Sequence, residues 1–415
     1  MAAISNNGTT KQKPRLDLNE HTCKSDAISF EKRKFDERIA HRAHFTQEAS
    51  DLIVTDCYKN MTDQAIACLP ACDNVKRRIR MLRQNKHVIA TPNDLNFESI
   101  PTSLTKTIRL DQFLRCDTGP SNERILIFAS TEQFNILQST TDFLINGTFK
   151  VVPVIFYQRY IIHAIYRGHV VPVAYVLLRR KNGATYNDLV DRVLEFAPHW
   201  TPDSIMLDFE QACIGAYDTS FPDALLSDCY FHFRQNLHRK LQSLGHQNKY
   251  NDDSVFAHNI HKLAALAFLK PDDVVKGFEA LSLTLDDDDD YQNGYVLGRL
   301  RANLIRRKLT FSIEFWNMYN RTMHSLMRTN NAVEAYHRRI GSIFQCAHPT
   351  LWVFLQKLID EENATHADIV QIRAGQPPKI TRNSERFEKR LINLISNPHQ
   401  DILTQIDSLA HNISL

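Results

Sequence analysis

Phe143-Leu144-Ile145-Asn146-Gly147-Thr148-Phe149-Lys150 opens the stretch that decides the fold, Ile205-Met206-Leu207-Asp208-Phe209-Glu210 follows, and Cys229-Tyr230-Phe231-His232 closes it. Between residues 143 and 232 the pattern reads strand, strand, strand, helix, strand, helix, strand. Residues 148–154, 157–166 and 169–178 are β-rich, and Gly168 marks a turn, so an antiparallel meander is expected. Residues 185–196 are amphipathic, with Leu189, Val190, Val193, Leu194 and Phe196 on one helical face. Residues 204–208 read as a short apolar strand, 210–217 as a helix and 225–233 as a last strand running into a basic helix. Apolar runs that end on a polar residue deliver side chains to the carboxyl ends of strands, where α/β cores build their sites. Asp208 fits that role. Asn146 carries no charge, and Asn-Gly between apolar stretches is also the signature of a tight hairpin turn.

Upstream, residues 124–129 read as a further strand with a short helix after it, and residues 87–123, carrying Pro92, Pro101 and Pro120, read as a connector. Residues 28–90 are helical in pattern and broken at Pro70. Their last helix places Val75, Ile79 and Leu82 in one stripe and spreads Lys76, Arg77, Arg80, Arg83 and Lys86 over the rest. Such a face either lies along DNA phosphates, which attract clustered cations without reading sequence, or is simply solvated. Residues 1–27 are polar and expected to be disordered. His21-Thr22-Cys23 within them has the spacing of a zinc-ligand pair, but no second pair accompanies it, so it makes no complete finger. Downstream, residues 248–325 are helical apart from the run Asp286 to Asp290, whose like charges favour a solvated loop. Asn330 or Asn331 can cap another helix, and further helices are expected over 350–372 and 382–396.

Composition bounds these readings. The 415 residues are 43% hydrophobic and 23% charged, as in a folded protein of two to four domains. A net charge of +3 leaves any basic surface local. No apolar run reaches the ~18 residues of a membrane helix, and no signal-peptide core opens the chain. Eight scattered cysteines are too sparse for a disulfide framework and point to a reducing cytosol or nucleus.

Taken together these motifs resemble the Mutator-like element (MULE) transposases. Asn146-Gly147-Thr148-Phe149-Lys150 resembles that family's opening Asp-Gly-Thr-Phe-Lys. Asp208-Phe209-Glu210-Gln211-Ala212 resembles its second acidic motif, and Cys229-x2-His232 its Cys/Asp-x2-His signature. Thr329 to His337, with Glu334 inside, resembles the motif bearing the final glutamate. The resemblance implies an α/β, RNase H-like mixed-sheet core over residues 95–240 and 326–372. It also implies a helical insertion over 241–325, a helical segment over 373–415 and a small helical domain ahead of the core. It implies a DDE-type DNA transposase that cleaves and joins strands of double-stranded DNA, at transposon ends and target, with two Mg2+ or Mn2+ ions. Asp208 and Glu334 are then the metal ligands, Asn146 stands in place of the first Asp and impairs catalysis, and Cys229 and His232 lie near the active site. Localisation in the nucleus and assembly as a homo-oligomer are expected. His21-Thr22-Cys23 is similar to the end of an N-terminal FLYWCH- or WRKY-type finger, so the chain reads as a shortened member in which Zn2+ is not expected. The alternative is a non-catalytic, transposase-derived DNA-binding protein.

Overall fold

The computed structural model describes residues 27–46, 48–59, 61–84, 91–284, 311–344, 348–378 and 382–413. The tail over 1–26 with His21 and Cys23, the aspartate run and Lys86 lie outside the described residues. The chain divides into two compact units, residues 1–89 and 90–415.

In the first unit, α1 (Ala27–Phe45), α2 (Ser50–Tyr58), α3 (Asp63–Ala67) and α4 (Cys72–Gln84) close around a small apolar core. Phe35, Ile39, Ile53, Val54, Cys57, Val75 and Ile79 form it. Val75 and Ile79, four residues apart on α4, supply the buried stripe, as helical spacing dictates.

The second unit is built on a seven-stranded mixed sheet with many helices, the arrangement of an RNase H-like core with helical additions. Its strands are β1 (Leu114–Asp117), β2 (Leu126–Phe128), β3 (Asp142–Thr148), β4 (Gln158–Tyr166), β5 (His169–Leu178), β6 (Ser204–Leu207) and β7 (Leu225–Asp228). Their order is β1-β2-β5-β4-β3-β6-β7. The meander β3-β4-β5 is antiparallel, and β3, β6 and β7 run parallel. After α5 (Thr131–Ser139), the crossover helices α6 (Gly183–Phe196) and α7 (Gln211–Ser220) cover one sheet face. Their apolar stripes meet Phe143, Ile145, Ile205 and Leu207 there. The opposite face takes α14 (Asn331–Phe344) and α15 (Leu351–Arg373), which bury Ile340, Phe344, Phe354 and Leu358 against Leu126, Ile161, Tyr175 and Leu177.

Three local readings change. β1 lies inside the stretch read as a connector. It is a four-residue, half-buried strand with no alternation to betray it, and the buried Arg124 pins it by donating to both oxygens of Asp117 at 2.7 and 2.6 Å. β3 ends at Thr148 and does not run on to residue 154, because Val151 adopts a positive φ of 55° that turns the chain out of the sheet. The last strand stops at Asp228, and the Cys229 carbonyl already accepts the Phe233 N–H of a helix.

That helix, α8 (Tyr230–Ser243), leads into a helical layer formed by α9 (Gln247–Asp252), α10 (Ser254–Ala265), α11 (Pro271–Ser282), α12 (Ile313–Trp316), α13 (Tyr319–Met323), α16 (Arg382–Ser396) and α17 (Ile402–Ile413). The segment after the sheet and the one at the C-terminal end share one apolar core: Phe233, Leu263, Phe278, Leu391 and Leu409 belong to the same cluster. Phe233 stacks on Trp316 at 5.0 Å. Asp407 of α17 ties down α10 by taking His258 Nε2 at 2.9 Å and Lys262 Nζ at 3.0 Å. Among the described residues no helix is long and apolar enough to cross a membrane.

Candidate active site

Strand alternation decides which side chains can meet. Leu144 and Asn146 leave β3 on one face, and Met206 leaves β6 on the same face, one pleat before Asp208. Leu144, Met206, Cys229 and Val333 pack together there as a small apolar floor. Asn146 and Gly147 sit within the ladder, opposite Ile161 and Tyr160 of β4, so Asn-Gly is strand and not turn. A Cβ at 147 would lie 1.6 Å from the Gln158 Nε2 that crosses over it, so any larger residue there displaces the Gln158 side chain.

On that floor, residues far apart in sequence converge. Asn146, 4% exposed, donates from Nδ2 to Glu334 Oε1 at 3.1 Å. His232, in the first turn of α8, sets Nδ1 2.7 Å from Asp208 Oδ1 and Nε2 3.7 Å from Glu334 Oε1. The 2.7 Å approach is an ionic contact rather than an aligned hydrogen bond, for neither atom meets the angular requirement. Burial pulls the His232 imidazole down, but the Asp208 carboxylate, assisted by Cys229, outweighs it and raises the group to about 10.

Cys229 is fully buried and holds the start of α14. Its Sγ donates to Asn330 Oδ1 at 3.0 Å and accepts the Asn330 N–H at 3.2 Å. The Tyr230 N–H donates to the Arg328 carbonyl at 2.9 Å, and the Asn330 carbonyl accepts the Glu334 N–H. The Asn330 side chain thus serves the thiol. Through these bonds the Cys-x2-His segment fixes both the imidazole and the helix that carries Glu334.

Asn146, Asp208, Cys229, His232 and Glu334 therefore stand together. Their donor types are those a hard divalent cation takes, two carboxylates, partly open to solvent, and an amide oxygen that a side-chain flip would present. As they stand they are not drawn together closely enough to form a ready three-ligand cluster, so a cation would require the carboxylates to close in. They fall one carboxylate short of a three-acid site. Asp142 does not supply it, because its Oδ1 accepts the Ser204 hydroxyl at 2.6 Å. Glu210, ahead of α7, is raised by burial.

The basic residues named on α4 belong to the other unit and differ among themselves. Lys76 pairs with Asp51. Arg83 donates to the Thr46 and Glu48 carbonyls at 3.2 and 2.7 Å, and burial lowers its pKa. Arg77 and Arg80 are exposed.

Sequence reasoning missed two buried features. Asp228, paired with Leu207 across β6 and β7, is fully buried with both oxygens unpartnered, and burial pushes its carboxyl well above the usual range. The only signal was an acid directly before Cys229. Arg159 of β4, 1% exposed, donates from Nη2 to His337 Nδ1 at 3.2 Å beneath α14. Burial, with the Arg159 charge, lowers His337 to about 3.

A family profile described as MULE transposase domain matches residues 145–236, taking in Asn146, Asp208, Cys229 and His232 and stopping short of Glu334. No curated protein matches the chain.

Proposed function

We propose, from the match of residues 145–236 to the MULE transposase domain, that the chain is a Mutator-like DNA strand transferase with a weakened metal site. The observation that carries the reading is the convergence of Asn146, Asp208 and Glu334, from three separate motifs, around one histidine. Asp208 and Glu334 would hold Mg2+ or Mn2+, whose chemistry is to activate a water or 3′-hydroxyl and to steady the leaving oxygen.

The chain's own residues do the rest. Asn146 orients Glu334 through its amide N–H, a contact an aspartate could not make. His232, 2.7 Å from Asp208 and 3.7 Å from Glu334, orients both carboxylates. Cys229 fixes the α14 terminus, so that Glu334 stays in register with Asp208. The substrate is double-stranded DNA, the chain acts as a homo-oligomer in the nucleus, and Arg77 and Arg80 of α4 contact backbone phosphates.

A second reading, a non-catalytic DNA-binding protein, is favoured by Asn146, which removes one negative charge from the cation site. Plasmid nicking and oligonucleotide strand transfer, with magnesium or manganese, separate the two. Cleavage by the wild type that Asp208→Ala abolishes supports an active enzyme. Cleavage by Asn146→Asp alone supports an impaired one. DNA binding without cleavage by either protein supports the non-catalytic reading.

A further inference from the structure

Beside the candidate site, α8 and α10 enclose an open cavity of about 440 Å³, within the roughly 300–1,000 Å³ typical of ligand sites. Leu237 and Ile260 line its base, Phe231 and Tyr250 present rings, and Arg234 and His238 add basic groups. No carboxylate is among its lining residues. In a chain with nearly as many acids as bases, a wall of that composition favours an anionic, flat-ringed occupant.

The cavity borders the site through residues adjacent in sequence to the site residues, although Asn146, Asp208, His232 and Glu334 do not line it. Phe231 precedes His232, and their rings lie 5.5 Å apart. Thr329 and Asn331, which line its other side, flank the Asn330 bound to Cys229. Arg234 is partly anchored, donating from Nη1 to the Ile413 carbonyl at 3.3 Å. Tyr250 is steadied by its hydroxyl contact with His261 Nε2 at 3.1 Å and meets the His238 ring edge-on at 5.3 Å. Phe231 is 41% exposed, so its ring face is open to a stacking partner.

We propose that this cavity is a nucleotide subsite, which takes one unstacked base of the DNA strand against Phe231 and Tyr250 and its phosphate against Arg234 and His238. The subsite rests on the reading of Asp208, His232 and Glu334 as a DNA-processing centre. It gives that centre a means of holding an unpaired nucleotide next to the scissile region. Stacking on rings tolerates any base, whereas the cations alone would bind the backbone without regard to bases.

The test uses the full chain in EDTA, so that its readout does not depend on cleavage. Fluorescence anisotropy compares an oligothymidylate of about twelve nucleotides with an abasic-backbone strand of equal length and charge. The thymidylate is expected to bind about tenfold more tightly, and Phe231→Ala to erase that preference while Phe231→Trp keeps it. Gln235→Glu, which places a carboxylate on the wall, is expected to weaken both strands. Equal affinity for the two strands, or a preference unaffected by Phe231→Ala, overturns the subsite. Base-dependent binding by a protein that never cleaves DNA leaves the subsite standing and removes only the catalytic reading.

Discussion

At the scale of single residues, the site turns on whether position 146 carries an amide or a carboxylate. The amide donates to Glu334; a carboxylate there would remove the donor and set a second negative charge against the first. Losing a buried bond of this kind costs about 1–3 kcal/mol. Asn146→Asp should therefore melt below the wild type in EDTA, yet gain more from added manganese, because the extra charge favours a divalent cation. Thermal unfolding with and without the metal checks this, and equal gains in the two proteins would remove position 146 from the cation site. A second residue, His337, ties stability to acidity. Its pKa in the fold, about 3, lies below the ordinary 6.5, so the folded chain refuses a proton that the unfolded chain accepts. The stabilisation is present above pH 6.5 and is lost as pH falls toward 3. At about 1.4 kcal/mol per pH unit, roughly 2–3 kcal/mol disappears between pH 6.5 and 4.5. His337→Gln keeps an acceptor for Arg159 without the titration, so its urea midpoint should fall less over that interval; parallel curves would contradict the assignment.

At the scale of elements, the placing of Glu334 beside Asp208 and Asn146 depends on how α14 is tied to the end of β7. The single thiol of Cys229 meets both the N–H and the side-chain oxygen of Asn330, and four residues further on Glu334 donates its N–H to the Asn330 carbonyl. Cys229→Ala leaves two buried polar groups without partners and should cost about 2–4 kcal/mol. Cys229→Ser retains both bonds and should cost about half as much in urea denaturation. If the two variants are equally unstable, the thiol acts by volume alone. Much of this was legible beforehand. Asp208 stood out as an acid at the end of an apolar run, and Cys229-x2-His232 and Glu334 were named through their resemblance to family motifs. The element boundaries were less so. Val151 has a β-branched side chain that ordinarily extends a strand, yet tertiary packing places it in the left-handed region and ends β3. β1 is too short and too evenly half-buried to alternate, and the Arg159–His337 pair joins β4 to a helix nearly 180 residues away. Neither local propensity nor spacing encodes such contacts.

At the scale of the whole molecule, the proposed function assigns chemistry to the sheet and backbone binding to the N-terminal helices. The net charge of +3 gives no general attraction for DNA, so affinity has to come from local groups. On α4 the cations separate into two kinds. Arg83 is part of the fold, since it donates to carbonyls at the α1–α2 junction and is partly buried. Arg77 and Arg80 face solvent. Each phosphate neutralised releases counterions, so the logarithm of affinity falls against the logarithm of salt with a slope of about 0.9 per contact. Replacing Arg77 and Arg80 together with alanine should therefore flatten that slope by about 2, weaken binding to unrelated sequences alike, and leave the urea midpoint unchanged. Arg83→Ala should do the opposite, lowering the urea midpoint through a loss of about 1–3 kcal/mol of stability as the carbonyls lose their donor. Anisotropy titrations over a series of salt concentrations, paired with urea unfolding of the same proteins, measure both quantities. An unchanged slope in the Arg77/Arg80 double variant would take α4 out of the DNA interface and leave the sheet-bearing unit to bind DNA through its own surface.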